Sequence, residues 1–439
     1  MTHIATSTEA RVIGKLRRRI LPFVMLLYFV SFLDRVNVGF AALGMNRAIG
    51  LTSAMFGLGS GLFFVSYFLF EVPSNLILYR VGARLWIARL MFTWGLVSAA
   101  SAFVTGPHSF YLLRFLLGAA EAGFFPGIIL YLSLWFPARH RAFAAAAFLT
   151  AAPLSTAIGS PISGAILELR PFAGLSSWQW LYLLEGLPAI LLGLFVLRIL
   201  TDKPAEARWL APEEREWLIA TLAAEHSTAG QHAHPTMGAR AALASPRVLL
   251  LAFIYLGTSA GLYTLGIWTP LLLHSFDLTP LATGFATGAP ALVAILPMVF
   301  WARHSDRTQE RTWHVVLPCL TGCLGFLWSA HTHTLAGILL ALTVANLGIS
   351  AAKGPLWAMP SLFLSGAGAA AGIAMINSIG NLGGFLGPYL IGWFKDRLGS
   401  YAGGLYAVAA LLALSAVLML LLSRQPASPA AARARDTQA

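Results

Sequence analysis

Apolar residues fill this chain in long runs of about twenty, separated by short polar stretches. A helix needs roughly 20 apolar residues to cross the hydrocarbon core of a bilayer, so each run predicts a membrane helix. The runs lie at about residues 20–43, 54–79, 86–104, 109–136, 143–168, 178–200, 248–273, 282–302, 313–331, 335–359, 368–394 and 402–422. The pattern therefore predicts an all-α membrane protein with about twelve transmembrane helices.

The longest polar interruption follows the sixth run and contains a predicted surface helix from Pro212 to Ala224. It divides the chain into two six-helix halves, a layout typical of transporters that rock about a site between the halves. The predicted parts are an N-terminal half at residues 1–201, a linker at 202–246, a C-terminal half at 247–424 and a tail at 425–439.

Composition supports a membrane protein, because 58% of the residues are hydrophobic and only 10% are charged. A soluble domain carries about 25% charged residues. The net charge of +12 comes from arginines and lysines at the ends of the apolar runs, so membrane topology explains it better than nucleic-acid binding. These cations concentrate on one side, which places both termini and the linker in the cytoplasm.

The sequence gives little reason to expect a metal site, a disulfide or an enzyme. Cys319 and Cys323 lie on one predicted helix and fit small core residues. His226, His232 and His234 of the linker fit a solvated loop better than a metal site. We recognise no nucleophile–base pair, metal-ligand set or phosphate-binding loop, and we expect no cofactor.

Among the charged residues inside the predicted membrane helices, we single out five: Asp34, Arg35, Arg114, Glu121 and Lys353. A charge at the bilayer centre costs roughly 2.5–3.5 kcal/mol on insertion scales, so such residues usually face a partner, a cavity or a substrate. Asp34 and Glu121 are candidate proton carriers, because burial raises the pKa of a carboxyl and a nearby arginine lowers it. A static ion pair between the first and fourth helices is the alternative interpretation.

The spacing of these charges predicts their partners. Arg114 and Glu121 are seven residues apart and share one face of the fourth helix, too far apart for a direct pair. Each needs a partner on another helix, and we predict Asp34 for Arg114. Arg35 lies about 100° around its helix from Asp34 and is predicted to face a cavity. Its planar guanidinium suits a substrate carboxylate, although a snorkelling arginine is the alternative.

Lys353 bears on the charge of the substrate. An ammonium inside the tenth helix needs an anion, and the sequence offers no acid on that helix. The second carboxylate of a substrate held by Arg35 would serve. The alternative is a lysine near the inner end of the helix that reaches lipid headgroups.

Two short basic turns, after the second and eighth helices, occupy matching places in the two halves. The first contains Arg80 and Arg84, and the second contains Asp306 and Arg307. Both resemble the cytoplasmic signature of the major facilitator superfamily, although Tyr79 stands where the first copy usually has an acid. The resemblance implies the major facilitator fold and a gating role for these four charged residues.

Within that superfamily the chain most resembles the anion:cation symporters, such as the tartrate, phthalate and hydroxyphenylacetate permeases. The matching stretches are residues 32–37, 67–75, 114–118, 121–127, 353–358 and 377–388. The resemblance implies coupling acids at Asp34 and Glu121. It also implies substrate contacts from Tyr67, Trp357 and Asn377, which composition alone would assign to helix packing.

The sequence thus predicts a secondary transporter that imports an organic carboxylate, tartrate-like or a related sugar or aromatic acid, by proton symport. An exchanger or exporter is the alternative, because residues 159–164 resemble a motif of drug antiporters. A membrane nutrient sensor is a further alternative. The expected partners are the organic anion, protons and membrane lipid, without nucleic acid. We expect a monomer in a bacterial-type inner membrane, and the sequence does not identify the carboxylate.

Overall fold

The computed structural model describes residues 2–231, 239–364 and 366–424. Nearly all of them are helical. The α-helices are α1 Thr2–Arg19, α2 Leu21–Ala48, α3 Ser53–Val81, α4 Ala83–Ala100, α5 Pro107–Glu121, α6 Phe124–Trp135, α7 Ala138–Leu149, α8 Ala151–Leu167, α9 Ser177–Ile199, α10 Pro212–Gln231, α11 Ala239–Leu243, α12 Pro246–His274, α13 Pro280–Thr308, α14 Thr312–His331, α15 Leu335–Ala358, α16 Gly366–Asn381, α17 Gly383–Leu398 and α18 Ala402–Ser423. The linker residues His232 and His234 and the tail 425–439 lie outside the described residues.

In the described part of the chain, 11 helical stretches are long and apolar enough to cross a membrane. The fourth stretch joins α5 to α6, and the fifth joins α7 to α8. The remaining crossing, the eleventh in chain order, is built from two shorter helices, α16 and α17, which meet at Leu382. This arrangement confirms the predicted set of twelve helices in two groups of six. The surface helix α10 extends to Gln231, beyond the predicted end at Ala224.

The two six-helix groups pack together closely at the end of the molecule opposite the linker. Small residues permit this contact: a Cβ on Gly164 of α8 would meet the backbone oxygen of Pro280 at the start of α13. Nearby, the Glu168 carboxylate accepts a hydrogen bond from the Leu281 backbone N–H at 3.1 Å. Glycine lets helix backbones approach closely in membranes. We call this the closed end, and the opposite side, which carries the linker, the linker end.

Surface helices α1 and α10 cover the first six-helix group at the linker end. Lys15 of α1 donates to Glu214 of α10 at 2.6 Å. Although partial burial opposes ionisation, this hydrogen bond from Lys15 keeps the pKa of Glu214 below its usual value. Glu9 of α1 pairs with Arg139 at the start of α7. These contacts attach the linker helix to the first group.

The fourth crossing is broken immediately after Glu121. Ala122 leaves the helical conformation, and Gly123 has a φ of 88° in the left-handed region that favours glycine. A Cβ on Gly123 would also collide with Ser74 of α3. Broken membrane helices are tolerated where the exposed backbone is buried in protein or lines a cavity. The break therefore places Glu121 at a helix terminus in the middle of the bundle.

Candidate functional site

A cavity of about 780 Å³ lies between the two six-helix groups and is lined by both. The first group contributes Arg35 of α2 and Tyr67 of α3. The second contributes Lys353 and Trp357 of α15 and Asn377 of α16. The structure thus brings the five residues predicted to bind substrate to one cavity. Its size is typical of sites for small molecules.

The lining residues also show where the cavity opens. It extends to Phe143 in the first half of α7, and to Arg303 and Asp306 near the end of α13. Both places lie at the linker end, because the second, fourth, sixth and eighth crossings all finish on that side. The cavity is therefore open at the linker end, while the two groups meet at the closed end.

Arg35 and Glu121 form a buried ion pair at the inner limit of the cavity. Nε of Arg35 donates to Oε1 of Glu121 at 2.7 Å, and the two side chains are 5% and 0% exposed. Ser31, one helical turn before Arg35 on α2, donates to the same oxygen at 2.5 Å. Hydrogen bonds between ionised groups are stronger than neutral ones, so this pair fixes α2 against the broken fourth crossing.

Aromatic side chains surround the rest of the Arg35 guanidinium. Nη1 donates to the Tyr263 hydroxyl of α12 at 3.0 Å. The carbon Cζ lies 5.0 Å from the ring centroid of Tyr67 and 5.5 Å from that of Phe63. Nη2 has no hydrogen-bond partner among the described residues. A cation held over rings and bonded on one edge only can still engage an anionic ligand.

Asp34 is buried among side chains of α4, outside the cavity lining. Its Oδ1 accepts from Ser98 at 2.8 Å and from Asn37 at 3.3 Å, and its Oδ2 accepts from the indole N–H of Trp94 at 3.0 Å. The predicted pairing with Arg114 is therefore wrong. A helix rotation of 100° separates Asp34 from Arg35, but it does not determine which neighbouring helix each one meets. Asp34 meets the third crossing, and Arg35 meets the fourth.

Arg114 is buried without a hydrogen-bond partner for any of its three guanidinium nitrogens among the described residues. Its Cζ lies 5.3 Å from the ring centroid of Phe63. The acids Glu121 and Asp34 interact with it electrostatically from beyond salt-bridge distance. Arg114 thus contributes positive charge next to both candidate proton carriers, without closing an ion pair to either one.

On α15, polar side chains follow one face of the helix along the cavity. Asn346, Ser350, Lys353 and Trp357 all line it, at the spacing of successive helical turns. Ser350 donates to Oδ1 of Asn346 at 3.0 Å. Among the described residues Lys353 has no acidic side chain within 4.0 Å. Its ammonium therefore adds an uncompensated positive charge to the cavity wall opposite Arg35.

The four residues predicted to act in gating lie around the linker end. Asp306 lines the cavity opening and pairs with Arg311 at 2.8 Å. The backbone N–H of Arg84 donates to the Asp202 carboxylate at 2.8 Å. Arg80 and Arg307 are exposed at the ends of α3 and α13.

Two buried acids were not among the predicted site residues. Glu71 of α3 accepts a hydrogen bond from Asn377, and another from Ser378 at 2.7 Å. Glu185 of α9 accepts from Ser163 at 2.6 Å and is 2% exposed. The signal was available in both cases: each is an acid within an otherwise apolar run, the criterion that identified Asp34 and Glu121.

Residues 24–388 match the family model of the Major Facilitator Superfamily. The chain belongs to the major facilitator superfamily. It is 58% identical over 432 residues to the "Putative tartrate transporter" of Agrobacterium vitis, covering 98% of this chain and 95% of that protein. It is also 40% identical over 413 residues to the "Quinolone resistance transporter" of Acinetobacter baumannii, covering 93% of this chain and 94% of that protein.

Solved structures of this superfamily share the fold. A bacterial homologue of the human lysosomal transporter Spinster, in an inward-facing and unoccupied conformation, superimposes with a TM-score of 0.75 at 16% identity. The match covers 94% of this chain and 99% of that one. The family and its relatives are membrane transporters, which confirms the predicted class and excludes the enzyme class. This major facilitator protein is therefore a multi-pass membrane transporter with its candidate site in the cavity between the halves.

Proposed function

We propose that this major facilitator protein imports a tartrate-like dicarboxylate together with protons, by alternating access. The observation that carries the proposal is the buried Arg35–Glu121 ion pair, whose arginine lines the cavity. A substrate carboxylate and the Glu121 carboxylate compete for one guanidinium. A proton on Glu121 removes its charge, weakens the pair and releases Arg35 for the substrate. Binding of the anion and binding of the proton are linked in this way.

The charge of the cavity favours a dianion. When Glu121 is ionised, it neutralises Arg35, so that Lys353 is the one unpaired charge among Arg35, Glu121 and Lys353. With Glu121 protonated, Arg35 and Lys353 face one cavity from opposite halves and repel one another. A dicarboxylate that bridges them relieves the repulsion and draws the halves together, as closure requires.

Asp34 and Arg114 complete the proposed coupling machinery. Asp34 is a second buried acid in the same half, and Arg114 interacts electrostatically with both Asp34 and Glu121. A proton gained by either acid changes the field that acts on the other. We assign Tyr67, Trp357 and Asn377 to substrate contact, because all three line the cavity beside the two cations.

We place the linker end in the cytoplasm, since the short basic turns, α1 and the end of α18 lie there. The open cavity then faces the cytoplasm. Arg80, Arg84, Asp306 and Arg307 are assigned to the contacts that form when this side closes. We propose a monomer, in contact with lipid in a bacterial inner membrane.

Export of an aromatic acid is the second candidate function. Aromatic side chains form much of the cavity wall, among them Tyr28, Phe32, Phe125 and Tyr255. The relative named for quinolone resistance is 40% identical to this chain. Apolar walls bind rings, and Arg35 would bind the acid group of such a compound in the same way as that of tartrate.

Transport by the purified protein in proteoliposomes tests both functions. A counterflow screen of tartrate, phthalate, hydroxyphenylacetate and sugar acids identifies the substrate class. Accumulation of the active compound is then measured under an inside-alkaline pH gradient. Tartrate accumulation that disappears when the gradient is collapsed supports proton symport. Counterflow of aromatic acids without tartrate counterflow would favour the second function instead.

A further inference from the structure

A buried carboxylate of the first half holds a cavity residue of the second half. Glu71 of α3 accepts the amide N–H of Asn377 on one oxygen and the hydroxyl of Ser378 on the other, at 2.7 Å in the second case. Glu71 and Asn377 are 2% and 6% exposed. Asn377 lines the cavity, whereas Glu71 stands behind it. The bridge is therefore placed to act on whatever binds in the cavity.

The chemistry of Glu71 determines how Asn377 is turned. An asparagine amide has one donating and one accepting end, and either end can face a ligand. An ionised carboxylate accepts only, so it selects the Nδ2 end of Asn377. Oδ1 is then the atom that Asn377 offers to the cavity. A carbonyl oxygen binds a hydroxyl group and repels a carboxylate, so this orientation distinguishes between the parts of a substrate.

The neighbouring residues place this acceptor close to the proposed carboxylate anchor. Tyr67 lies one helical turn before Glu71 on α3, and its ring packs against the Arg35 guanidinium, with a centroid distance of 5.0 Å. Glu71 and Arg35 also attract one another electrostatically. A substrate whose carboxylate meets Arg35 therefore presents its next carbons in the neighbourhood of Asn377.

We infer that Glu71 is a positioning residue that holds Asn377 as a hydrogen-bond acceptor for substrate hydroxyl groups. The inference rests on the proposed transport of a dicarboxylate and names one determinant of its specificity. Hydroxylated dicarboxylates bind more tightly than their deoxy analogues, because only they can donate to Oδ1.

Tartrate and succinate test the inference, since they share a four-carbon dicarboxylate chain and differ in two hydroxyl groups. The measured quantity is the ratio of their dissociation constants for the purified full-length protein. Glu71→Gln lets the Asn377 amide take either orientation, so the preference for tartrate should fall by roughly three- to tenfold, the equivalent of one hydrogen bond. A general destabilisation of the protein would weaken the binding of both ligands and leave the ratio of their dissociation constants unchanged.

Two further variants isolate the amide from the rest of the bridge. Ser378→Ala removes the second hydrogen bond of Glu71 without touching Asn377, and it should keep the wild-type ratio. Asn377→Ala removes the acceptor itself and should lower the ratio at least as far as Glu71→Gln does. The double variant should show no additional loss, because both changes act on the same hydrogen bond. Asn377→Ala also keeps the inference testable if Glu71→Gln does not fold.

The outcomes separate this inference from the proposed function. A wild-type preference for tartrate that survives intact in Glu71→Gln overturns the role of Glu71 and leaves dicarboxylate transport standing. A wild-type protein that binds neither compound contradicts the proposed function, and this inference with it. Independent, additive losses in the double variant would show that Glu71 does not act through Asn377.

Discussion

Arg35 and Glu121, on the first and fourth membrane crossings, neutralise one another across 2.7 Å in a site that is almost completely buried. The pair keeps two charges in the membrane interior at a tolerable cost, since each satisfies the other. It also leaves Nη2 of Arg35 and Oε2 of Glu121 without partners among the described residues. Such a pair can open when a proton or a competing anion arrives, which a fully bonded structural lock would resist.

The first prediction concerns coupling. Glu121→Gln removes the titratable group while keeping its size, so Arg35 remains available to the substrate at every pH. We expect the variant to lose accumulation driven by a pH gradient and to retain substrate exchange in counterflow. Glu206→Gln, the same change on an exposed linker residue, is the matched control. Accumulation by Glu121→Gln at the wild-type level would remove this residue from the coupling mechanism.

The second prediction concerns recognition of the carboxylate. Arg35→Lys keeps the positive charge but loses the planar fork and the hydrogen bond to Tyr263. A charge-assisted hydrogen bond is worth about 1.5–3 kcal/mol, so we expect affinity to fall at least tenfold. Isothermal titration with the transported acid measures the loss. Arg47→Lys, at the exposed end of the same helix, should bind like the wild type; unchanged binding by Arg35→Lys would place the anchor elsewhere.

Most of the fold could be predicted because membrane helices follow directly from apolar length. Boundaries differ where the local backbone departs from a continuous helix. The eleventh crossing was predicted as one helix, but α16 ends at Asn381 and α17 begins at Gly383. Gly383 and Gly384 follow the break, and a Cβ on either one would meet α12 or α3. Close packing against two helices, which a run of apolar letters does not reveal, explains this break.

The residues of the site were easier to predict than their partners. Arg35, Tyr67, Lys353, Trp357 and Asn377 all reach the cavity, as the sequence and the family resemblance indicated. Helical spacing fixes the angle between two side chains on one helix, but it leaves open the rotation of that helix against its neighbours.

The acids illustrate the same limit. Asp34 accepts hydrogen bonds from Trp94 and Ser98 in place of the predicted contact with Arg114, because the rotation of α2 turns it toward α4. Glu71 depends on a contact with the other half of the chain, some 300 residues away in sequence, which spacing cannot show.

The third prediction concerns the conformational equilibrium. Gly284 of α13 packs against the backbone of Ser160 and Pro161 at the closed end, with no room for a side chain. Gly284→Leu should separate the halves there and shift the protein toward closure at the linker end. Spin labels at Ala146 and Ala302, two cavity-lining positions at the linker end, should move closer together in a double electron–electron resonance experiment.

The label pair requires a background in which Cys319 and Cys323 are replaced by serine. Gly14→Leu is the matched control, because a Cβ on Gly14 of α1 meets no atom within 4 Å. A distance distribution for Gly284→Leu that equals those of the control and the parent would show that the glycine contact does not hold the closed end.

The last prediction concerns the charge of the substrate. Lys353 and Arg35 line one cavity from opposite halves, and Lys353 has no acidic partner within 4.0 Å among the described residues. A dianion can satisfy both cations, whereas a monoanion leaves one of them unpaired. Tartrate and threonate form a matched pair, because threonate carries a hydroxymethyl group where tartrate has its second carboxylate. We expect the wild-type protein to prefer tartrate as a competitor of uptake.

Lys353→Ala should narrow this preference, because only the second carboxylate of tartrate depends on the ammonium. Inhibition of uptake by tartrate should become weaker, and inhibition by threonate should remain nearly unchanged. Lys203→Ala, on an exposed linker residue, should retain the wild-type ratio. Equal inhibition by tartrate and threonate in the wild type would rule out recognition of a dianion. Lys353 would then act through packing or lipid headgroups, and a monovalent sugar acid or aromatic acid would fit the cavity better. If neither tartrate nor threonate inhibited uptake by Lys353→Ala, the lysine would instead support the structure of the cavity as a whole.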